Sequence, residues 1–277
     1  MRRLLKNKKG FNWAFLMLGV VLICLVYLFF QLNSKLASLS IIGPNQMQVI
    51  NAKKQSSDVF FYLDQASRLS ACNAIYDLGE KGGFASNIAC NKPPFIGVID
   101  TPHTYWNAGD EKCYENINFY AEFEKLFKQH FINYLRIYNA FPAADIDIDP
   151  FNYEFMITDD LIVGSAIKNA EMSFVSLDAG SLSKYVFKPS FAIDFKTGIN
   201  DYFKTGEAVD KLLDCDKPMA QCINDLNTPG LSWHFTQSSM PGIYLFEVTQ
   251  NSINCRFAGA KPKIKFALQK MPPVPGP

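Results

Sequence analysis

Ser181-Leu-Ser-Lys184 has the S-x-x-K spacing that sets a serine hydroxyl one helical turn from a lysine base, and Lys196-Thr-Gly198 and Lys204-Thr-Gly206 both read K-T-G. Acyl-transfer sites built from these motifs hold the K-T-G strand far downstream of the serine, with S-D-N between them. Here the first K-T-G begins twelve residues after Lys184 and no S-D-N occurs. That gap is too short for the intervening domain. Asp145-Ile-Asp-Ile-Asp149 alternates carboxylates as a hard cation would require, but an EF-hand loop needs Gly at its sixth position and Glu at its twelfth. Those positions hold Pro150 and Met156. A strand edge with its acids facing water is the expectation. His103 follows Asp100 in a segment that also contains Tyr105 and Trp106, while His130 sits among helix aromatics and His234 in a strand pattern. No G-x-S-x-G or H-E-x-x-H frames any of the three. The sequence therefore assigns no catalytic, cofactor-binding or metal-binding residue. A Ser–His–Asp arrangement through His103 is the one route left open to cell-wall or peptide hydrolysis.

Cysteines carry a different chemistry. Cys24 lies in an apolar run, and Cys72, Cys90, Cys113, Cys215, Cys222 and Cys255 all follow it. An even number in an oxidising compartment predicts disulfides, with fifteen connectivities open to six cysteines. Cys90 and Cys113 bracket the segment that most needs a staple, and Cys215 and Cys222 are close enough to meet across a short turn. Cys72 and Cys255 would then tie a long helix to the final strands. Zinc is disfavoured, because no C-x-x-C occurs and only three histidines are scattered along the chain.

The compartment follows from residues 13–30, WAFLMLGVVLICLVYLFF, which carry no charge. Extended through residue 32, a helix at ~1.5 Å per residue spans about 30 Å, the thickness of a bilayer core. Lipid offers no partner to backbone polar groups, so the span must be helical. Arg2, Arg3, Lys6, Lys8 and Lys9 precede it and only Lys35 follows closely. That asymmetry places the N-terminus in the cytoplasm. A cleaved signal peptide would show a shorter apolar run ending in a small-x-small site, which Phe29-Phe30-Gln31-Leu32 does not supply. Six of the 27 basic groups lie before residue 36 and all 26 acids after it, so the remainder carries a net of −5. Such a body is unsuited to nucleic acid.

Beyond the span, Gly43-Pro44 stops the first helix and Asn45 can cap a second beginning near Gln46. Val59, Tyr62, Leu63, Ala66, Leu69, Cys72 and Tyr76 recur at spacings of three and four, predicting an amphipathic helix of more than ~30 residues that ends at Gly79 or Gly82-Gly83. Residues 84–114 read as irregular, and residues 115–138 return to helical periodicity. Strands are predicted at 153–158, 161–166, 171–175, 185–195, 231–236, 242–249 and 264–268, with a helical region at 200–226. Helices first and strands later argue for an α+β fold with a mainly antiparallel sheet. The expected organisation is a cytoplasmic basic segment at 1–12, a transmembrane helix at 13–32, a disulfide-stapled extracytoplasmic domain at 33–270 and a Pro-rich tail at 271–277.

Two resemblances add to this. Phe61-Tyr-Leu-Asp-Gln-Ala-Ser67, Ile75-Tyr-Asp-Leu-Gly79, Gly82-Gly-Phe84 and the late Ile264-Lys-Phe-Ala-Leu strand resemble elements of uncharacterised archaeal membrane-anchored envelope proteins. That likeness implies an N-terminal anchor, a long helix and a Cys-containing loop, and carries over no enzymatic module. Lys8-Lys9-Gly10-Phe11 before an apolar helix resembles the leader of type IV prepilins, cut after the Gly. The fifth mature position, often Glu in that family, is Phe15 here. The expected function is a non-enzymatic surface, structural or interaction role, with the lipid bilayer and an envelope or cell-surface protein as partners and no cofactor. The alternatives are a pilin-like subunit processed between Gly10 and Phe11, and an envelope hydrolase.

Overall fold

A computed structural model describes residues 18–31, 44–85, 103–108, 111–140, 146–175, 182–238, 242–253, 255 and 260–270. Residues 18–31 form helix α1. Then come α2 (Pro44–Glu80), the short strands β1 (Thr104–Tyr105), β2 (Asn107–Ala108) and β3 (Glu111–Lys112), a 3-10 turn at Cys113–Asn116, and α3 (Phe119–Asn139). Strands β4 (Tyr153–Ile157), β5 (Leu161–Ala166), β6 (Ala170–Val175), β7 (Leu182–Phe187) and β8 (Ser190–Asp194) lead into α4 (Ile199–Leu213) and α5 (Met219–Asn224). The last elements are β9 (Leu231–Gln237), β10 (Ile243–Gln250) and β11 (Lys263–Gln269). The chain divides into two compact units, Met1–Lys54 with Met172–Tyr185, and Gln55–Glu171 with Val186–Pro277.

The first unit contains α1, the opening turns of α2 and most of the two-stranded β6–β7 sheet. The α2 helix starts at Pro44, not near Gln46. Proline suits a first helical position, because its φ is already helical and the N–H it lacks would have had no partner there. Of the span expected at 13–32, residues 13–17 and 32 lie outside the described residues and the rest is α1. Among the described residues no helix is long and apolar enough to cross a membrane.

In the second unit α2 turns Val59, Leu63, Ala66, Ala71, Ala74, Ile75 and Leu78 inward, all nearly or fully buried. The helix ends where Gly82 and Gly83 adopt φ of 62° and 93°. In that left-handed region a side chain is strained, and a Cβ on Gly83 would also meet the Phe119 ring. The Gly83 N–H donates to Leu78 O at 2.7 Å, satisfying one of the last helical carbonyls.

Two sheets take the apolar load. The larger has the order β1-β11-β10-β9, antiparallel except for the parallel β1–β11 pair. Its inner face stacks Trp106 on Phe266 at 4.2 Å and Phe266 on Phe246 at 5.1 Å. The Trp106 indole also donates to Gly82 O at 2.8 Å, fastening the end of α2 to this sheet. The second sheet, β4-β5-β8, is antiparallel throughout. Phe123, Phe127 and Phe131 recur every fourth residue along α3, and Phe127 and Phe131 meet Tyr153, Phe155 and Phe191 of that sheet at 5.2–6.5 Å, while Phe123 stacks on Phe127 at 6.2 Å. Each such phenylalanine contributes ~2–3 kcal/mol through burial.

The α+β class and the mainly antiparallel pairing are as expected, but among the described residues the strands form four small sheets and not one. The strand expected at 185–195 breaks at Lys188-Pro189, because Pro189 has no N–H for a ladder and its carbonyl instead accepts from Ala166 N at 2.8 Å. The irregular stretch expected before residue 114 contains β1 to β3 within its described part. The helical region expected at 200–226 is two helices, separated around Cys215 and Pro218. Residues 146–149 belong to no strand, so the strand edge expected there is not formed.

Candidate functional site

The outer face of the larger sheet carries a row of charged side chains. Register aligns His234 of β9, Glu247 of β10 and Lys265 of β11 in one row across the strands. Glu247 accepts from Lys263 at 2.7 Å, and Lys265 reaches Glu80 at the end of α2 at 2.8 Å. The Lys263 hydrogen bond outweighs partial burial and holds the Glu247 carboxyl below its ordinary range, with Lys263, Lys265 and His103 adding their fields. His103 is thus placed within the field of Glu247. Asp100, its neighbour in sequence, lies outside the described residues.

A second cluster joins β3, the 3-10 turn and α4. The Tyr114 hydroxyl donates to Asp210 Oδ1 at 2.6 Å, and the Lys112 ammonium binds the same oxygen while Glu115 stands 3.5 Å away. Burial works to raise the Asp210 carboxyl, yet the bonds from Lys112 and Tyr114 prevail and hold it below its usual value. Burial first, and then the bond to Asp210, push the Tyr114 hydroxyl far above the ordinary tyrosine range. A phenol held so firmly protonated serves as a clamp and not as a base. Sequence inspection missed this cluster, because its partners lie 98 and 96 positions apart and no local motif marks them.

The motifs singled out for chemistry do structural work where they are described. Ser181 lies outside the described residues, and Lys184 is exposed on β7. Thr197 is fully buried and donates to Asp159 O at 3.1 Å, and Gly198, with φ of 67°, precedes the first turn of α4. Asp159, in the β4–β5 turn, accepts from Asn200 Nδ2 at 2.6 Å and from Asn200 N at 3.3 Å, so it caps α4 from a distant element. In the second K-T-G, Thr205 donates to Asp201 O at 2.6 Å within α4. Asp145 is outside the described residues. Asp147 and Asp149 are exposed, and Asp149 Oδ1 accepts from Phe151 N at 2.9 Å, while Ile146 and Ile148 are buried between them. His130 Nε2 meets Asp77 at 2.8 Å, linking α3 to α2. Among the described residues no three His, Cys, Asp or Glu side chains are gathered as a metal ion would need.

The cysteines do pair. Cys72 is bonded to Cys255 with Cα atoms 5.6 Å apart, and Cys215 to Cys222 with Cα atoms 6.1 Å apart. Cys113 is disulfide-bonded as well, and Cys90, the partner expected for it, lies outside the described residues. Cys24 is free and exposed on α1. Large apolar side chains are also exposed on the second unit: Phe61 of α2, Ile137 of α3, Met156 of β4, and Phe151, whose ring lies 5.6 Å from the Arg136 guanidinium. Gly10 and Phe11, the leader junction, are outside the described residues. Comparison with protein-family models, with curated proteins and with solved structures finds no match to this chain.

Proposed function

We propose that this chain is a single-pass membrane protein whose N-terminus faces the cytoplasm and whose stapled α+β body stands outside, in a non-enzymatic surface role. The observation that carries the reading is α1. Leu18, Leu22, Ile23, Leu25, Phe29 and Phe30 are 55–71% exposed, and they point in several directions around the helix. A helix apolar on all sides needs lipid or protein around it, since water penalises such surface at ~25 cal/mol per Å². The five cations before it and the oxidised cysteines after it support the same orientation.

Alkaline carbonate extraction of membranes tests the anchor. The full-length chain stays in the pellet if α1 belongs to a span and moves to the supernatant if it does not. Intact mass of the pelleted protein then separates a retained N-terminus from processing between Gly10 and Phe11.

A further inference from the structure

The exposed side of α2 changes character at its start. Met47, Val49 and Ile50 are 51%, 48% and 50% exposed, whereas Ala52 is 3% exposed and Gln48 is half-buried. At 100° per residue Val49, Lys53, Gln46, Ile50, Lys54 and Met47 fill one continuous outward arc, with the apolar residues about one turn ahead of the two lysines. No acid precedes Asp58 in the sequence, so every charged side chain up to that point is cationic. An outward surface of this composition, apolar and then basic, matches the layering of a bilayer interface.

Chain length supports the same placement. Residues 32–43 join α1 to α2, and the steps from 31 to 44 reach at most about 45 Å when fully extended. If α1 belongs to a membrane span, the start of α2 lies within about 45 Å of its end, a distance that permits contact with the headgroups. We infer that the opening turns of α2 lie in the lipid headgroup layer, with Met47, Val49 and Ile50 inserted at its apolar margin and Lys53 and Lys54 facing anionic lipid phosphates. This rests on the anchored reading of α1, and it adds a second membrane contact that orients the base of the long helix.

The full-length chain, reconstituted in phosphatidylcholine vesicles containing anionic phosphatidylglycerol and nitroxide-headgroup lipid, tests it. A fluorophore is placed at Ile50→Cys or at Gln65→Cys in a Cys24→Ser background, and a third preparation is labelled at native Cys24 and read with acyl-chain nitroxide. The label at position 50 is expected to lose about half its fluorescence while the label at 65 is unaffected, and K53E with K54E is expected to weaken docking ~5-fold per lysine. Equal quenching at 50 and 65, with Cys24 quenched, overturns the inference and leaves the anchor intact. An unquenched Cys24 label overturns both. Undiminished quenching at 50 in vesicles lacking phosphatidylglycerol overturns the role given to the lysine–phosphate contacts.

Discussion

Cys72, about two turns before the end of α2, is covalently bonded to Cys255, 183 positions later in the chain. The bond secures the long helix to the segment between β10 and β11, where the Tyr76 hydroxyl also donates to Ala260 O. By the chain-entropy estimate a loop of this size contributes about 5 kcal/mol, against about 2 kcal/mol for the short Cys215–Cys222 loop. Chemical denaturation should therefore show Cys72→Ser/Cys255→Ser losing clearly more stability than Cys215→Ser/Cys222→Ser. Equal losses would mean that the long bridge constrains little.

Trp106 is the other fastening. It is fully buried, stacks on Phe266 and donates to Gly82 O. Trp106→Ala should cost ~3–5 kcal/mol through lost packing. Trp106→Phe keeps most of the packing, loses the hydrogen bond and leaves Gly82 O without that donor, at a cost of ~1–3 kcal/mol. Urea midpoints of the two variants check the order.

Acid should loosen the body. The Asp210 and Glu247 carboxyls are both held below their ordinary values when folded. Their contribution is thus complete above the unfolded carboxyl values, near about pH 4, and is lost as pH falls through the lower folded values. Asp210→Asn and Glu247→Gln should each flatten the acid limb of a stability-versus-pH curve. An unchanged limb in both would contradict the pairing with Lys112 and Lys263.

Alkali acts through the tyrosines. Burial raises Tyr153 and Tyr202, and burial together with Asp210 raises Tyr114. A raised folded value gives stability that is whole below the unfolded tyrosine value of about 10 and lost as pH climbs above it. Tyrosinate absorbance from these residues should appear together with loss of circular dichroism and not before it.

Tyr202 isolates one term. Its ring is fully buried, and its hydroxyl has no hydrogen-bond partner among the described residues. Tyr202→Phe should leave stability within about 1 kcal/mol or raise it, while Tyr202→Ala should cost ~3–5 kcal/mol. Thermal unfolding of the pair distinguishes a packing role from a polar one.

What the chain shows on its face is what local periodicity can carry. The Phe123, Phe127 and Phe131 spacing announces α3, and the turn at Asp159-Asp160 announces the β4–β5 hairpin. The start of α3 falls later than periodicity suggests, because Cys113–Asn116 closes a 3-10 turn and Asn118 caps the helix by accepting from Ala121 N at 3.1 Å. Pairings made only by the fold stay hidden. The two residues of β1 show no strand pattern until Thr104 meets Phe266 and Tyr105 meets Ala267. Asp159 reads as a turn residue, and its capping of α4 requires the whole β4-β5-β8 sheet to bring it there. The sequence offered Cys72–Cys255 and Cys215–Cys222 among fifteen open connectivities, and the fold brings both pairs together; the Lys112–Asp210–Tyr114 cluster was not legible, because it has no spacing to read.

Protease shaving of intact cells, with and without reductant and followed by peptide mapping, bears most directly on membrane anchoring with an external body. External protease should release peptides from both sides of Cys72 and Cys255, still linked until reductant is added, while residues 13–32 remain with the cells. A body wholly protected in intact cells, or recovered from the cytosol with every cysteine reduced, would contradict it.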